Sequence, residues 1–204
     1  QYCPEAIVIT AVNPVDAMNY ATYLAGGFDR NKVIGYSIND SFRFRELIAE
    51  ELNENVSRVD GLVAGEHGKT QVPLFSTVKV DGNPVSFSEE AKKRILSKIP
   101  LAIKRFEELD AGRTAGFTCA VGLTEITRII TEDSKKIVPC SAILDGEYGE
   151  HNLSMGVPVV LGKDGIKEIL EYDLLPDEQA NLKISIDKLK DEAGTVSQEL
   201  PKLQ

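Results

Sequence analysis

The 204-residue sequence has no apolar run approaching the roughly 18–20 residues that cross a bilayer as a helix, so no helical membrane span is expected among these residues. It has no surplus of positive charge either. Against 32 acidic residues stand 23 basic ones, for a net charge of −9. A surface of that sign repels phosphate backbones and argues against nucleic acid as a general partner. A small anionic ligand remains compatible, because a buried arginine acts locally. Cysteine is scarce: Cys3, Cys119 and Cys140 are widely spaced and make no C-x-x-C pair. That pattern predicts reduced thiols in a cytoplasmic protein and not a disulfide frame. Histidine is scarcer still, with His67 and His151 alone. Glu66, His67 and His151 lack the H-E-x-x-H spacing of a metal hydrolase, so no metal site is expected. What is present is ordinary: 42% hydrophobic and 27% charged residues, enough chain for one large domain or two small ones.

Gln1 is not an initiator methionine, and residues 5–10 already read as a short buried strand of Ile and Val. The expectation is therefore a chain that starts in mid-domain, with Tyr2-Cys3-Pro4 as the end of something earlier. Pro14 suits a first helical turn, and residues 15–24 follow as a helix stopped by Gly26-Gly27. Residues 33–36 form a second strand. Asp40 or Ser41 can cap the next helix, whose apolar stripe is Phe44, Leu47, Ile48 and Leu52. Strand–helix–strand–helix argues for a parallel α/β sheet.

The style changes near residues 53–60. Two strands, 61–65 and 72–80, flank a glycine-containing bend, and Asp81-Gly82-Asn83-Pro84 reads as a turn. Ser88 caps a helical stretch with Ile95, Ile99, Ile103 and Phe106 on one side, which Pro100 should kink or divide. A helix over 118–131 turns Leu123, Ile126, Ile129 and Ile130 inward. Strands are expected at 137–144, 157–161 and 166–170, with a final helix over 177–193 carrying Leu182, Ile186, Leu189 and Ala193. The polar tail beyond Gly194 should fray. The fold class is α/β followed by α+β. Residues 1–56 form one part and 57–204 the other.

Three short segments could carry chemistry. His67 lies in Gly65-Glu66-His67-Gly68, where glycines allow tight backbone and close ligand approach. An imidazole exchanges a proton near neutral pH, although a turn histidine bonded to backbone is the commoner outcome for a lone one. His151 reads as a structural loop residue. In Asp40-Ser41-Phe42-Arg43, residues three apart share a helix side. A carboxylate there can orient an imidazole, and an arginine can grip a substrate carboxylate with two parallel bonds. Equally, Asp40 can cap the helix while Arg43 pairs at the surface. Asn13 follows the first strand, at the carboxyl end where α/β sheets collect ligands, or forms an Asx turn before Pro14.

Taken in order, Asn13-Pro14-Val15-Asp16, Asp40-Ser41-Phe42-Arg43-Phe44-Arg45 and Gly65-Glu66-His67-Gly68 with Gln71-Val72-Pro73 resemble the signatures of the lactate/malate dehydrogenase family. Gly116-Phe117-Thr118 resembles its later helix start, and Val157-Pro158-Val159-Val160-Leu161-Gly162 with Gly165-Ile166 its late hairpin. The resemblance runs over nearly the whole chain. It implies that residues 1–56 are the end of a Rossmann-type dinucleotide-binding domain and 57–204 an α+β substrate domain. It implies His67 as proton carrier, Asp40 as its orienter, Arg43 as the clamp on the substrate carboxylate, and Thr118 as a lining of the substrate pocket. Asn13, with Val12 and Ala11, would border an NAD (or NADP) cofactor, and Asn13 would touch the substrate oxygen. Malate is expected over lactate, and residues 15–24 and 42–52 resemble elements that pair subunits, so a homodimer or homotetramer is expected. Lys69, and Ser37-Ile38-Asn39 before Asp40, depart from the family pattern. No G-x-G-x-x-G occurs anywhere in the sequence, so the family's phosphate-cradling loop is not among these residues. A reading from another class is a folding or oligomerisation module without catalysis of its own, which would bind NAD poorly.

Overall fold

The computed structural model describes Cys3, residues 5–108, Asp110 and residues 116–202. Tyr2 and Pro4, and the side chains of Ile103 and Phe106, lie outside the described residues.

β1 (Val8–Thr10) leads through α1 (Val15–Gly26) to β2 (Val33–Gly35), and the two strands pair in parallel. This is the expected opening of an α/β unit. Gly27 ends α1 in the left-handed region (φ 62°) and returns its N–H to the Tyr23 carbonyl. Pro14 sits just before the helix and not in its first turn. α2 spans Ile38–Leu52 and starts earlier than the sequence suggests, so neither Asp40 nor Ser41 caps it. Asp40 lies inside its first turn, and the Ser41 hydroxyl instead accepts the Val63 N–H at 2.9 Å. The stripe on α2 points as expected: Phe44 and Ile48 are fully buried against Val63, Phe75, Val78 and Ile95.

β3 (Val59–Ala64) and β4 (Val72–Val80) form an antiparallel pair, extended by the two-residue β5 (Asn83–Pro84). α3 runs unbroken over Glu89–Glu108, with Pro100 inside it. The expected division does not occur. Pro100 is exposed, so water can satisfy the carbonyl that its missing N–H leaves free. α4 (Gly116–Thr131) follows, then the long hairpin β6 (Lys136–Asp145) and β7 (His151–Gly162), and β8 (Gly165–Ile169). β7 begins six residues before the apolar run that signals it, because residues 153–156 pair with β6 and, past a bulge at Asn152, the exposed His151 still pairs with Asp145. α5 covers Pro176–Glu199 and passes straight through Gly194. The tail is therefore helical: Val196 packs on the core and ties down a segment that its polarity alone would leave frayed.

Strand order in the larger sheet is β1-β2-β6-β7-β8, with β2 meeting β6 antiparallel at Gly35 and Ser141. The sheet thus contains strands from both sides of residue 56, and one core cluster runs from Tyr20 and Ile34 to Leu182 and Leu189. The change of style along the chain is not a break in sheet or core. α5 locks this assembly. Its Leu182, Ile186 and Leu189 are buried, each contributing about 1.5–3 kcal/mol against exposure.

Candidate functional site

The carboxyl end of β1, the first turn of α2 and the β3–β4 loop converge on one pocket of about 260 Å³, lined by Ala11, Asn13, Tyr36, Asn39, Asp40, Arg43, His67, Gln71 and Cys119 among others. A concavity of similar size, about 270 Å³, opens between β4, α3 and α5, but Lys69, Asp177, Asn181 and Ile184 give it no base and orienter. The chemistry lies in the first.

Asp40 is buried and serves two partners. Its Oδ2 stands 2.6 Å from His67 Nδ1, and its Oδ1 accepts from Arg43 Nη1 at 3.2 Å. With Nδ1 donating to a carboxylate, the neutral imidazole presents Nε2 as its acceptor. Burial works against the imidazolium, yet the bond to Asp40 and the charges of Asp40 and Asp16 outweigh it. The His67 pKa therefore stands above its ordinary value. Among the described residues Asp40 is the only ion partner of Arg43, which leaves the rest of its fork for a ligand in the pocket.

The loop that carries His67 is held from three sides. Gly65 and Gly156 exchange backbone bonds at 2.8 and 3.0 Å, joining the two sheets at this point. A side chain at Gly156 would meet the Gly65 carbonyl, and Gly65 itself has φ 85°, so both positions need glycine. Ser185 of α5 accepts the Glu66 N–H at 2.6 Å, while the Glu66 carboxylate takes the Thr70 N–H and hydroxyl and pairs with Lys188. The His67 N–H itself donates to Asp16 Oδ2 at 2.8 Å.

Asn13, Asp40, Arg43, His67 and Ala11, all expected at the site, line this pocket together. Val12 is half exposed beside it and Thr118 is not among its lining residues. The Thr118 carbonyl accepts from the Tyr36 hydroxyl at 3.1 Å, and its neighbour Cys119 reaches the pocket in its place. His151 is exposed and pairs with Asp145 at 2.9 Å, away from the pocket. Sequence reasoning missed Asp16, Glu66, Gln71 and Asn39. Asp16, Glu66 and Gln71 stand inside the quoted motifs and Asn39 directly precedes Asp40, and that placement was the available signal.

The family described as "lactate/malate dehydrogenase, alpha/beta C-terminal domain" matches residues 39–200. Malate dehydrogenase of Salinibacter ruber is 40% identical over 98% of this chain, and the chain spans 62% of that protein's length. Malate dehydrogenase of Shouchella clausii is 37% identical over 93% of the chain, again across 62% of its own length. Among solved structures, the lactate dehydrogenase of Cryptosporidium parvum complexed with lactic acid and nicotinamide adenine dinucleotide superposes with a TM-score of 0.90 at 35% identity, covering 97% of this chain and 65% of that one.

Proposed function

This chain belongs to the lactate/malate dehydrogenase family, and on that premise we propose that it carries the substrate-handling half of an NAD-dependent 2-hydroxy-acid dehydrogenase, with malate and oxaloacetate as its substrate pair. The observation that carries the proposal is the set His67–Asp40–Arg43, joined by bonds of 2.6 and 3.2 Å and facing one pocket with Asn13.

Ala11 and Asn13 lie on the pocket at the carboxyl end of a parallel strand, with Val12 exposed beside them, and such a position suits the nicotinamide end of NAD (or NADP). NAD, when bound, supplies the hydride acceptor in one direction and the hydride donor in the other. His67 Nε2 takes the hydroxyl proton as the 2-hydroxy acid is oxidised and returns it on reduction. Asp40 holds the ring and stabilises the charge that this proton brings. Arg43 grips the carboxylate through the part of its fork that Asp40 leaves open and fixes the reacting carbon's orientation. Asn13 steadies the substrate oxygen. In malate oxidation every charge that develops on the protein side therefore has a partner already in place.

Malate is favoured because the curated relatives above are malate dehydrogenases. Lactate is the second reading, since the superposed lactate dehydrogenase shares the fold as closely. Arg43 is the one arginine lining the described pocket, so within that lining a second substrate carboxylate would have amide donors such as Gln71 and no second guanidinium. Free thiols favour a cytoplasmic setting, and exposed Met18 and Leu24 on α1 favour pairing with a second copy. The test is His67→Asn in the complete gene product. Malate-dependent NAD reduction should be lost while NADH binding is kept, and unchanged turnover would reject the assignment.

A further inference from the structure

The backbone of His67 is held by a second carboxylate. Asp16 of α1 is 3% exposed, and each of its oxygens has one donor. Oδ2 accepts the His67 N–H at 2.8 Å, and Oδ1 accepts the Ser141 hydroxyl of β6. The donors behind Ser141 run in one direction. An ionised Asp16 can only accept, so Ser141 must donate to it. The Ser154 hydroxyl, 2.7 Å from that of Ser141, then donates to Ser141, and Asn19 Nδ2 donates to Ser154 at 3.0 Å. Three hydrogen-bonding side chains from α1, β6 and β7 are thus lined up to hold one negative charge in the interior. A buried carboxylate is costly to keep charged unless hydrogen bonds or an opposite charge compensate it, and here hydrogen bonds do.

We propose that Asp16 is a positioning residue for His67, clamping the backbone of the proton carrier and placing a second negative charge close to its imidazole. This rests on the dehydrogenase reading of the pocket. Asp16 does not line the pocket, so it acts through His67 and not on substrate. Its charge is among those that favour the His67 imidazolium, together with Asp40 and against Arg43. From α5 the facing charge is Glu192, which opposes ionisation of Asp16 and is itself paired with Lys188 at 3.6 Å. The arrangement gives the imidazole one carboxylate on its ring and another on its backbone.

The test uses the complete protein and three variants. Asp16→Asn keeps size and can still accept one bond, but it removes the charge. Its kcat should fall about tenfold or more, with the KM for the acid and the affinity for NADH little changed. The pH at which the enzyme's His67 limb titrates should fall by about 0.5–1 unit. Asp16→Glu should recover part of that limb. Should Asp16→Asn fold poorly, Ser141→Ala gives the same reading: it leaves Asp16 in place but removes a donor, and should shift the limb in the same direction by less. A wild-type limb position in folded Asp16→Asn, or in Ser141→Ala where Asp16→Asn does not fold, overturns the proposal, because a merely structural residue would alter rate and stability without moving the titration. If His67→Asn leaves turnover intact, the dehydrogenase reading fails first. If His67 is essential and the limb does not move, only the role of Asp16 fails.

Discussion

The Nδ1 of His67 stands 2.6 Å from Oδ2 of Asp40, although 27 residues separate them in sequence. The pair fixes both the ring's orientation and its tautomer. Asp40→Asn keeps the shape but offers the ring an amide, which can stabilise the neutral imidazole with the wrong nitrogen protonated. The expected loss in kcat is about 10²–10⁴-fold, read by steady-state malate oxidation, with NADH affinity unchanged. Stability should respond as well. The His67 pKa is raised in the folded state, so its contribution is fully present below its ordinary value of 6.5 and is lost as pH rises through the folded value. In Asp40→Asn the denaturation midpoint should vary less with pH across that window, and an unaltered pH dependence would contradict the pairing.

Arg43 lies one helical turn from Asp40 and gives it a single bond of 3.2 Å. Arg43→Lys replaces a planar fork by a point charge on a flexible stem. The KM for the 2-hydroxy acid should rise about 10–100-fold, with a smaller loss in kcat as the acid is less well aligned. A variant with wild-type KM and kcat would remove Arg43 from substrate binding.

The parts of this site that were legible in the sequence are those written in contiguous motifs. Asp40, Arg43 and His67 stood out because residue type and spacing carry their chemistry, and α2 declared its buried face through Phe44 and Ile48. What could not be read is long-range. Ser141 sits in an apolar strand with nothing local to mark it, yet it meets Asp16 across 125 residues. Ser185 meets the Glu66 N–H across 119. The expected α2 cap at Asp40 or Ser41 lies three or four residues past the actual cap, Ser37, for a related reason. Tertiary partners, His67 for one and the Val63 N–H for the other, claimed both side chains before the helix terminus could. Thr118 was drawn to the pocket by its motif, but its carbonyl is used by Tyr36 and Cys119 takes the lining position.

Burial pushes the Asp16 carboxyl up to about 6, despite the bonds from Ser141 and His67. A folded value above the unfolded one means that its stabilising contribution is fully present below about pH 4 and is lost as pH rises through 6. A rise of roughly two pH units corresponds to about 3 kcal/mol across that interval. Asp16→Asn has no charge to bury. Its stability relative to wild type should therefore improve steadily between pH 4 and pH 7, measured as the difference in urea midpoints at each pH. The same substitution should slow turnover, so its relative gain in stability as pH rises would come with no gain in activity. A constant difference across the range would show that the carboxylate is not titrating in the fold.

Gly156 on β7 supports the catalytic loop through its backbone alone. Its N–H donates to the Gly65 carbonyl at 3.0 Å, and the Gly65 N–H returns a bond at 2.8 Å, two residues before His67. A methyl group at position 156 would lie 2.7 Å from that carbonyl oxygen. The obstructing atom is backbone, held in turn by Ser185 packed against Gly65, so it cannot rotate aside as a flexible side chain would. Gly156→Ala must open the bridge between the sheets or push the loop outward. The expected cost is about 1–3 kcal/mol in unfolding free energy. A loop displaced by even a fraction of an ångström misaligns His67 Nε2 with the substrate hydroxyl, and kcat should drop by about 10–100-fold. Arg43 and Asp40 sit on α2, outside the displaced segment, so substrate affinity should fall much less than rate. A Gly156→Ala enzyme with native stability and native kcat would show that the Gly65–Gly156 bridge does not set the position of His67.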